Sequence, residues 1–429
     1  MQSPSTHSTV SHWLAWLENT RSEQDIELGL DRISQVGRSL DLLKPAPYVI
    51  TVAGTNGKGS TIAILEAILI EAGYSVGAFT SPHFLSFNER IRVDGKMVDD
   101  QDLCEAFTVI NEGRKSTWLT YFEFATLAAV HCFKKANVDV ALMEVGLGGR
   151  LDATNAIDPD IAVMTTVGLD HQDWLGYSIE AIAGEKAGII RAEKPIVFGD
   201  FSVPKAVINR SIRLDAPLYR NNKEFFIEKH EKEWSWQGRD EKGQSCQFEH
   251  LPYPQLVIEN AATALQALQL SPFKINQDVV RKSLESVTLT GRYQTRWVKN
   301  KAGDNIEVIL DVSHNPQAAT RLKENLQNYS AGKTRMIFAM YKDKDYAAVA
   351  NVLADSADEW LITTFNSPRA LTTDELVEVF KVRHSQVCGI TDVEQALSTS
   401  LAHSDKGDRI IVSGSFITVA DALTFIEQC

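Results

Sequence analysis

The sequence predicts an α/β protein with two units, a larger one on a mostly parallel sheet and a smaller one that repeats the same kind of architecture. Three observations carry this. From Tyr48 onward, short β-branched runs alternate with helical patterns, the signature of a parallel sheet covered on both faces. The first run breaks into Gly54-Thr55-Asn56-Gly57-Lys58-Gly59-Ser60 just before a helix. A second series of strands and helices starts afresh after Thr290-Gly291-Arg292-Tyr293.

Taken in order, Tyr48–Ala53, Ser75–Thr80, Asp139–Val145, Asp160–Val167 and Pro195–Phe198 read as buried strands. Ile62, Leu65, Ile68 and Leu69 recur at helical spacing after the Gly-rich loop, and Gly73 closes that helix. The more polar stretch from Leu218 to Leu251 carries Phe225, Phe226, Trp234, Trp236 and Phe248 among charges, and is expected to add short antiparallel strands at an edge. Two helices, Leu256–Leu270 and Asn276–Val287, close the first unit. In the second, Glu307–Asp311, Arg335–Phe338, Trp360–Thr364 and Arg409–Val412 read as strands separated by helices. The boundaries expected are 1–295 and 296–429.

Composition excludes several classes. The chain has 429 residues, 44% hydrophobic and 23% charged, which suits a soluble globular protein with more than one core. No apolar run is long enough to cross a bilayer, and Met1 to Val10 lacks a basic or apolar leader, so the expected location is the cytoplasm. Cys104, Cys132, Cys246, Cys388 and Cys429 are widely spaced with no C-x-x-C pair, and read as free thiols. A formal net charge of −13 opposes nucleic acid and anionic membrane, so small-molecule ligands are expected and any anion must be held by local basic groups.

The loop at 54–60 supplies such groups. Glycines bring backbone N–H groups against phosphate oxygens, the following helix N-terminus adds a partial positive charge, and Lys58 adds a full one. ATP is the first ligand to consider. The loop is a variant P-loop, because Val52 stands where the first glycine would be and Gly59 where a hydroxyl usually follows the lysine.

Other candidates lie at expected strand ends, where open parallel sheets bind ligands. Glu144 ends one strand and runs into Gly146-Leu147-Gly148-Gly149-Arg150; it is either a Mg²⁺ ligand or an ion partner for Arg150. His171, after Asp170, and His83, in Ser81-Pro82-His83, are either metal or carboxylate contacts or packed and solvated histidines. Lys186 sits among small residues in Ala183-Gly184-Glu185-Lys186-Ala187-Gly188. It is either crowded and chemically modifiable or a snorkelling surface lysine paired with Glu185 or Glu193. In the second unit, Asp311 ends a strand ahead of His314. Asp311 suits a ribose hydroxyl and His314 a phosphate, while Asn315 caps a helix that opens with Pro316.

These segments, with Asn88-Glu89-Arg90, Leu151-Asp152-Ala153-Thr154-Asn155 and Ser413-Gly414-Ser415-Phe416, occur in the order seen in the folylpolyglutamate synthase family, over essentially the whole chain. The resemblance implies a Mur-ligase-like fold: a P-loop ATPase domain that also binds the pterin or folate, then a smaller C-terminal Rossmann-like ligase domain. It implies ATP-dependent ligation of L-glutamate to 7,8-dihydropteroate, and to the γ-carboxylate of reduced folates, through an acyl phosphate. By the same resemblance Thr55, Asn56, Gly57, Lys58, Gly59 and Ser60 hold the ATP phosphates, with Asn260, Arg292 and Asp311 as further nucleotide contacts between the domains. Ser81, Glu144 and His171 hold Mg²⁺, and Lys186, as a carbamate, binds a second Mg²⁺ or orients the attacking amine. Lys58, Lys186 and His314 form the catalytic set. The pterin end is assigned to Glu27, Leu28, Gly29 and Leu30, to Thr120, Tyr121, Phe122 and Glu123, and to Leu151, Asp152 and Ala153, with Phe122 stacking on the ring and Asp152 accepting from its amino groups. Arg90 is a phosphate or carboxylate contact. Ser313 replaces the commoner alanine. A monomer is expected.

Two rivals are weighed. A cell-wall Mur ligase proper shares the loop and the modified lysine but carries an N-terminal domain for a UDP-sugar, and the 47 residues ahead of Tyr48 are too few for one. A regulatory protein that keeps the loop without catalysis has no need of Glu144, His171 and Lys186 together.

Overall fold

The structure is a computed structural model that describes residues 4–5, 7–20, 27–327, 331–381 and 386–428; Cys429 lies outside the described residues. The chain folds into two compact units, Met1–Val287 and Thr288–Cys429. Cys104, Cys132, Cys246 and Cys388 are free thiols. Among the described residues, no helix is long and apolar enough to cross a membrane.

The first unit contains β1 (Tyr48–Ala53), β2 (Val76–Phe79), β3 (Ile91–Val93), β4 (Lys96–Met97), β5 (Val140–Glu144), β6 (Ile161–Met164), β7 (Ile196–Phe198) and β8 (Leu218–Arg220). They form one sheet in the order β4-β3-β2-β5-β1-β6-β7-β8. β2, β5, β1, β6, β7 and β8 run parallel, while β3 and β4 add an antiparallel edge. The central strands are buried apart from Tyr48 at the start of β1, which explains why they read as unbroken apolar runs rather than alternating ones.

The helix Lys58–Glu71 that follows the loop is apolar nearly all round because it packs against the sheet and also against helices Ile258–Gln269 and Gln277–Ser286. Its one acidic interior side chain, Glu66, is buried and paired with Arg92 of β3 at 2.7 Å. Helix Tyr121–Ala136 begins with a capping box, Thr120 and Glu123 satisfying each other's backbone N–H, and ends on Asn137 in the left-handed conformation. Helices Val10–Thr20 and Asp31–Ser39, not anticipated from the sequence, join the same core: Trp16 meets Phe124 of that helix at 6.3 Å and Trp13 meets Phe107 of helix Asp100–Gly113 at 5.7 Å between ring centroids. Val49, Phe79, Ala141 and Met143 of the sheet belong to the same core.

The aromatic-rich stretch does not extend the sheet edge as expected. Only β8 adds to it, and in parallel. β9 (Phe226–Lys229), β10 (Glu233–Arg239) and β11 (Ser245–Pro252) form a separate antiparallel sheet, because Trp234 and Trp236 share one face of β10 and are fully buried. Trp236 Nε1 donates to the Ala262 carbonyl at 3.1 Å, fastening that sheet to helix Ile258–Gln269.

The second unit holds β12 (Gln294–Lys299), β13 (Asn305–Asp311), β14 (Thr334–Phe338), β15 (Glu359–Ile362), β16 (Val387–Gly389) and β17 (Arg409–Ser413) in the order β12-β13-β17-β14-β15-β16. All are parallel except β12, a hairpin partner of β13. Its core gathers Phe338, Trp360 and Phe380 at centroid distances of 4.3–6.0 Å.

Candidate active site

The Gly-rich loop leaves β1 and is clamped by the segment that leaves β6. Thr55 N donates to the Thr166 carbonyl at 2.8 Å, Asn56 N to Thr166 Oγ1 at 3.1 Å, and Thr165 Oγ1 to the Asn56 carbonyl at 2.6 Å. Thr55 Oγ1 donates to the Gly168 carbonyl and accepts from Gly168 N. Thr165 and Thr166 had no role assigned from sequence; the available signal was a pair of hydroxyls at the end of an apolar strand. Gly57, with φ +89°, turns the loop into the helix, and a Cβ there would stand 2.5 Å from Asn260 Oδ1. Asn260 thus packs directly against the loop, and only glycine satisfies both its backbone angle and this approach.

Strand register places Glu144 beside the loop, since β5 pairs with β1 at Val52↔Glu144. It is buried, and its Oε2 accepts the Ser81 N–H at 3.2 Å across the end of β2. Arg150 is not its ion partner, being committed to Glu185 at 2.9 Å. The loop after Glu144 is pressed onto the helix Ile179–Lys186: Arg150 N donates to the Glu185 carbonyl at 2.8 Å, and a Cβ on Gly188 would run into the Arg150 backbone.

Lys186 ends that helix with 5% of its surface exposed, so the snorkelling alternative fails. Its Nζ donates to the Gly54 carbonyl at 3.1 Å, and Lys58 Nζ donates to the same oxygen at 3.1 Å. Burial, and next the Lys58 charge, push the Lys186 amine down to about 7. Asp170 acts on it in the opposite sense. His171 is two-fifths exposed, left-handed at φ +50°, and has its Nε2 3.8 Å from Asp170. Among the described residues, no three His, Cys, Asp or Glu side chains gather into a metal cage. What the rim offers is one buried carboxylate beside a serine: hard oxygen donors of the kind Mg²⁺ takes together with water and phosphate.

The three segments assigned to the pterin converge. Gly29 N donates to the Leu151 carbonyl at 3.3 Å, and Arg32 bridges Glu27 (2.9 Å) and Glu123 (3.3 Å). Phe122 lies over Gly146, where an added Cβ would meet its ring at 2.7 Å, and stacks obliquely on Phe79 at 5.6 Å. Asp152 is buried and orders its own loop, accepting from Leu147 N at 2.9 Å and from Thr154 N and Oγ1. Burial pushes its carboxyl up, against those donors. Arg90 is almost wholly buried, donates from Nε to His83 Nδ1 at 2.7 Å, and has Phe87 and Tyr121 about its guanidinium at 5.5 and 5.6 Å. Arg32 and Trp118, whose ring lies 4.0 Å under the Arg32 guanidinium, were missed from sequence.

In the second unit, Asp311 ends β13 and accepts from Tyr293 N at 2.8 Å and Ser313 N at 3.0 Å. Asn315 Oδ1 caps helix Pro316–Gln327 through Ala318 N at 3.0 Å. Phe416, at the start of the last helix, gathers two candidates: Arg292 Cζ is 5.2 Å from its ring and His314 is 6.1 Å away.

With this geometry, residues 52–265 match the Mur ligase middle domain and residues 291–416 the Mur ligase glutamate ligase domain. The chain is 41% identical to the dihydrofolate synthase/folylpolyglutamate synthase of Haemophilus influenzae, over 98% of each chain. Among solved structures it superposes on E. coli FolC in complex with DHPP and ADP with a TM-score of 0.92, at 39% identity and 99% coverage of both chains. It superposes on the bifunctional folylpolyglutamate synthase/dihydrofolate synthase of Yersinia pestis, complexed with AMPPNP and Mn, with a TM-score of 0.91 at 41% identity, covering 99% of this chain and 100% of that one.

Proposed function

Because the chain belongs to the dihydrofolate synthase/folylpolyglutamate synthase family of Mur ligases, we propose that it joins L-glutamate to 7,8-dihydropteroate, and to the γ-carboxylate of reduced folates, at the expense of ATP. The observation that carries this reading beyond nucleotide binding is the shared carbonyl of Gly54, on which the loop lysine Lys58 and the buried Lys186 both converge. A plain phosphate loop needs only the first.

A carboxylate is a poor electrophile until one oxygen becomes a leaving group. The substrate carboxylate attacks the γ-phosphorus of ATP, the bond to the bridging oxygen breaks, and ADP leaves an acyl phosphate. The deprotonated glutamate amine then adds to the acyl carbon, the C–O bond to phosphate breaks, and an amide and inorganic phosphate result. Thr55 to Ser60 hold the ATP phosphates with backbone N–H groups, and Lys58 neutralises the transferring group. Asn260, Arg292 and Asp311 are assigned to the nucleotide and His314 to the transferring phosphate. Ser81, Glu144 and His171 would hold one Mg²⁺ and a Lys186 carbamate a second; bound there, the ions screen phosphate charge. The neutral amine that burial favours at Lys186 is the form that reacts with carbon dioxide, which supports the carbamate. Glu27 to Leu30, Thr120 to Glu123 and Leu151 to Ala153 receive the pteridine, with Phe122 offering a ring face, and Arg90 is assigned to a substrate anion. The protein is read as a cytoplasmic monomer.

Purified protein should release phosphate from ATP only when L-glutamate and either 7,8-dihydropteroate or a reduced folate are both present. Release indifferent to the pteridine would sink the reading, and product mass separates one added glutamate from several.

A further inference from the structure

Two chain segments about ninety residues apart meet around one side chain that none of the assignments above includes. Arg32, in the first turn of helix Asp31–Ser39, is largely buried and uses every nitrogen of its guanidinium. Nη1 donates to Glu27 Oε1 at 2.9 Å, Nη2 to the Glu27 carbonyl at 2.8 Å, and Nε to Glu123 Oε2 at 3.3 Å. Its flat face lies 4.0 Å over the Trp118 ring. Glu123 is 2% exposed; its Oε2 also accepts the Thr120 N–H at 2.7 Å, while its Oε1 is buried with no hydrogen-bond partner among the described residues. A buried carboxylate with an unmatched oxygen is costly, so Glu123 depends on the Arg32 charge beside it.

From this we infer that Arg32 is the positioning residue of the pteridine pocket. It locks segment 27–30 onto the helix start at Thr120 to Glu123 and fixes Glu123 in place, and so sets where two of the segments assigned to the pteridine stand. The inference rests on the function proposed above, which assigns both segments to the pteridine. Arginine suits the task where lysine does not: a planar fork reaches two acceptors of Glu27 and one of Glu123 at once and still stacks on an indole. Burial pushes the Glu123 carboxyl up against the Thr120 N–H and the Arg32 charge. Without Arg32 it would move further toward the neutral acid, and the charge that ties Glu123 to segment 27–30 would be lost.

The test is steady-state kinetics of the full chain with saturating L-glutamate, varying dihydropteroate and ATP separately, for wild type, Arg32→Ala, Arg32→Lys and Trp118→Leu, with thermal unfolding of each. Arg32→Ala should raise the KM for dihydropteroate by about 10- to 100-fold, the scale of one lost charged hydrogen-bond set, and leave the KM for ATP within about twofold. Arg32→Lys should recover little of this, and Trp118→Leu should cost about two- to fivefold. An unchanged KM for dihydropteroate in a folded Arg32 variant, full recovery with lysine, or equal rises for both substrates would overturn the role. If Arg32→Ala does not fold, the lysine and Trp118 variants carry the same contrast. Wild-type protein that turns over without any need of pteridine refutes the ligase reading itself, whereas pteridine-dependent wild type with indifferent variants refutes only Arg32.

Discussion

Lys186→Ala is the substitution with the sharpest consequence. An amine at its ordinary value of 10.5 is neutral in roughly 3 molecules per 10,000 at pH 7, whereas one pushed down to about 7 is neutral in about half. Carbamate formation needs the neutral form, so the buried site holds roughly a thousandfold more reactive amine than an exposed lysine would. Below pH 7 this fraction falls toward tenfold per unit, and recovery of activity by bicarbonate after degassing should slow in step. Lys186→Ala should abolish phosphate release, and small carboxylates such as acetate should restore part of it by occupying the vacated anion position. Labelled bicarbonate should yield a carbamate carbon resonance in wild type that the variant lacks. The sign also fixes a stability trend. The unfolded chain binds more protons than the folded one between about 7 and 10.5, so the penalty of a buried ammonium is present below 7 and is relieved as pH rises through that window. Full activity in Lys186→Ala, or activity in degassed buffer that bicarbonate does not change, would remove the carbamate from the mechanism.

Glu144→Gln should keep the fold, since an amide oxygen can still accept the Ser81 N–H, yet lose activity by at least about 100-fold and shift the divalent-ion titration to higher concentration; an unchanged metal titration would exclude Glu144 as a ligand. In the second unit, buried Arg335 joins Glu359 at 2.8 Å and Asp408 at 2.9 Å. Arg335→Met should cost about 3 kcal/mol in chemical denaturation, because it leaves Asp408 nearly buried without its cation. Burial alone would raise both carboxyls, but Lys333, Arg335 and backbone N–H groups hold them below the usual range. Their stabilisation is therefore complete above the ordinary carboxylate pKa and fades as pH falls through the lowered values, a slope that the variant should flatten.

What could be read from the sequence followed from burial. β1, β5 and β6 are apolar on both faces because helices cover both, so their runs were unbroken and legible. β3, β4 and β12 are short or half-polar strands at or next to a sheet edge, whose pairing depends on a neighbour, and β9–β11 form their own sheet because Trp234 and Trp236 have a helix to bury against. At the site, Lys58 and Glu144 were visible because one closes the Gly-rich loop that follows a strand and the other ends a strand. Lys186 was left open between two readings, since adjacent small residues do not reveal that Gly149, from the loop after β5, packs against its backbone. Arg32 escaped notice because its partners, Glu27 and Glu123, are 5 and 91 residues away, and only the fold makes them neighbours.

The electrostatics of the rim explain why two lysines and a divalent ion belong together. A chain of net charge −13 must receive ATP, a carboxylate and glutamate, all anions, so attraction has to come from groups within a few ångströms. As ammonium groups, Lys58 and Lys186 repel each other across one carbonyl oxygen, and the repulsion falls on the buried partner, which gives up its proton more readily. As a carbamate, Lys186 becomes an anion, and its interaction with Lys58 turns from repulsion to attraction. That anion would face Glu144 and the ATP phosphates with a surplus of negative charge, which a divalent cation offsets. A Lys186 carbamate and the cation would therefore favour each other's binding, and by linkage each should tighten the other by the same factor.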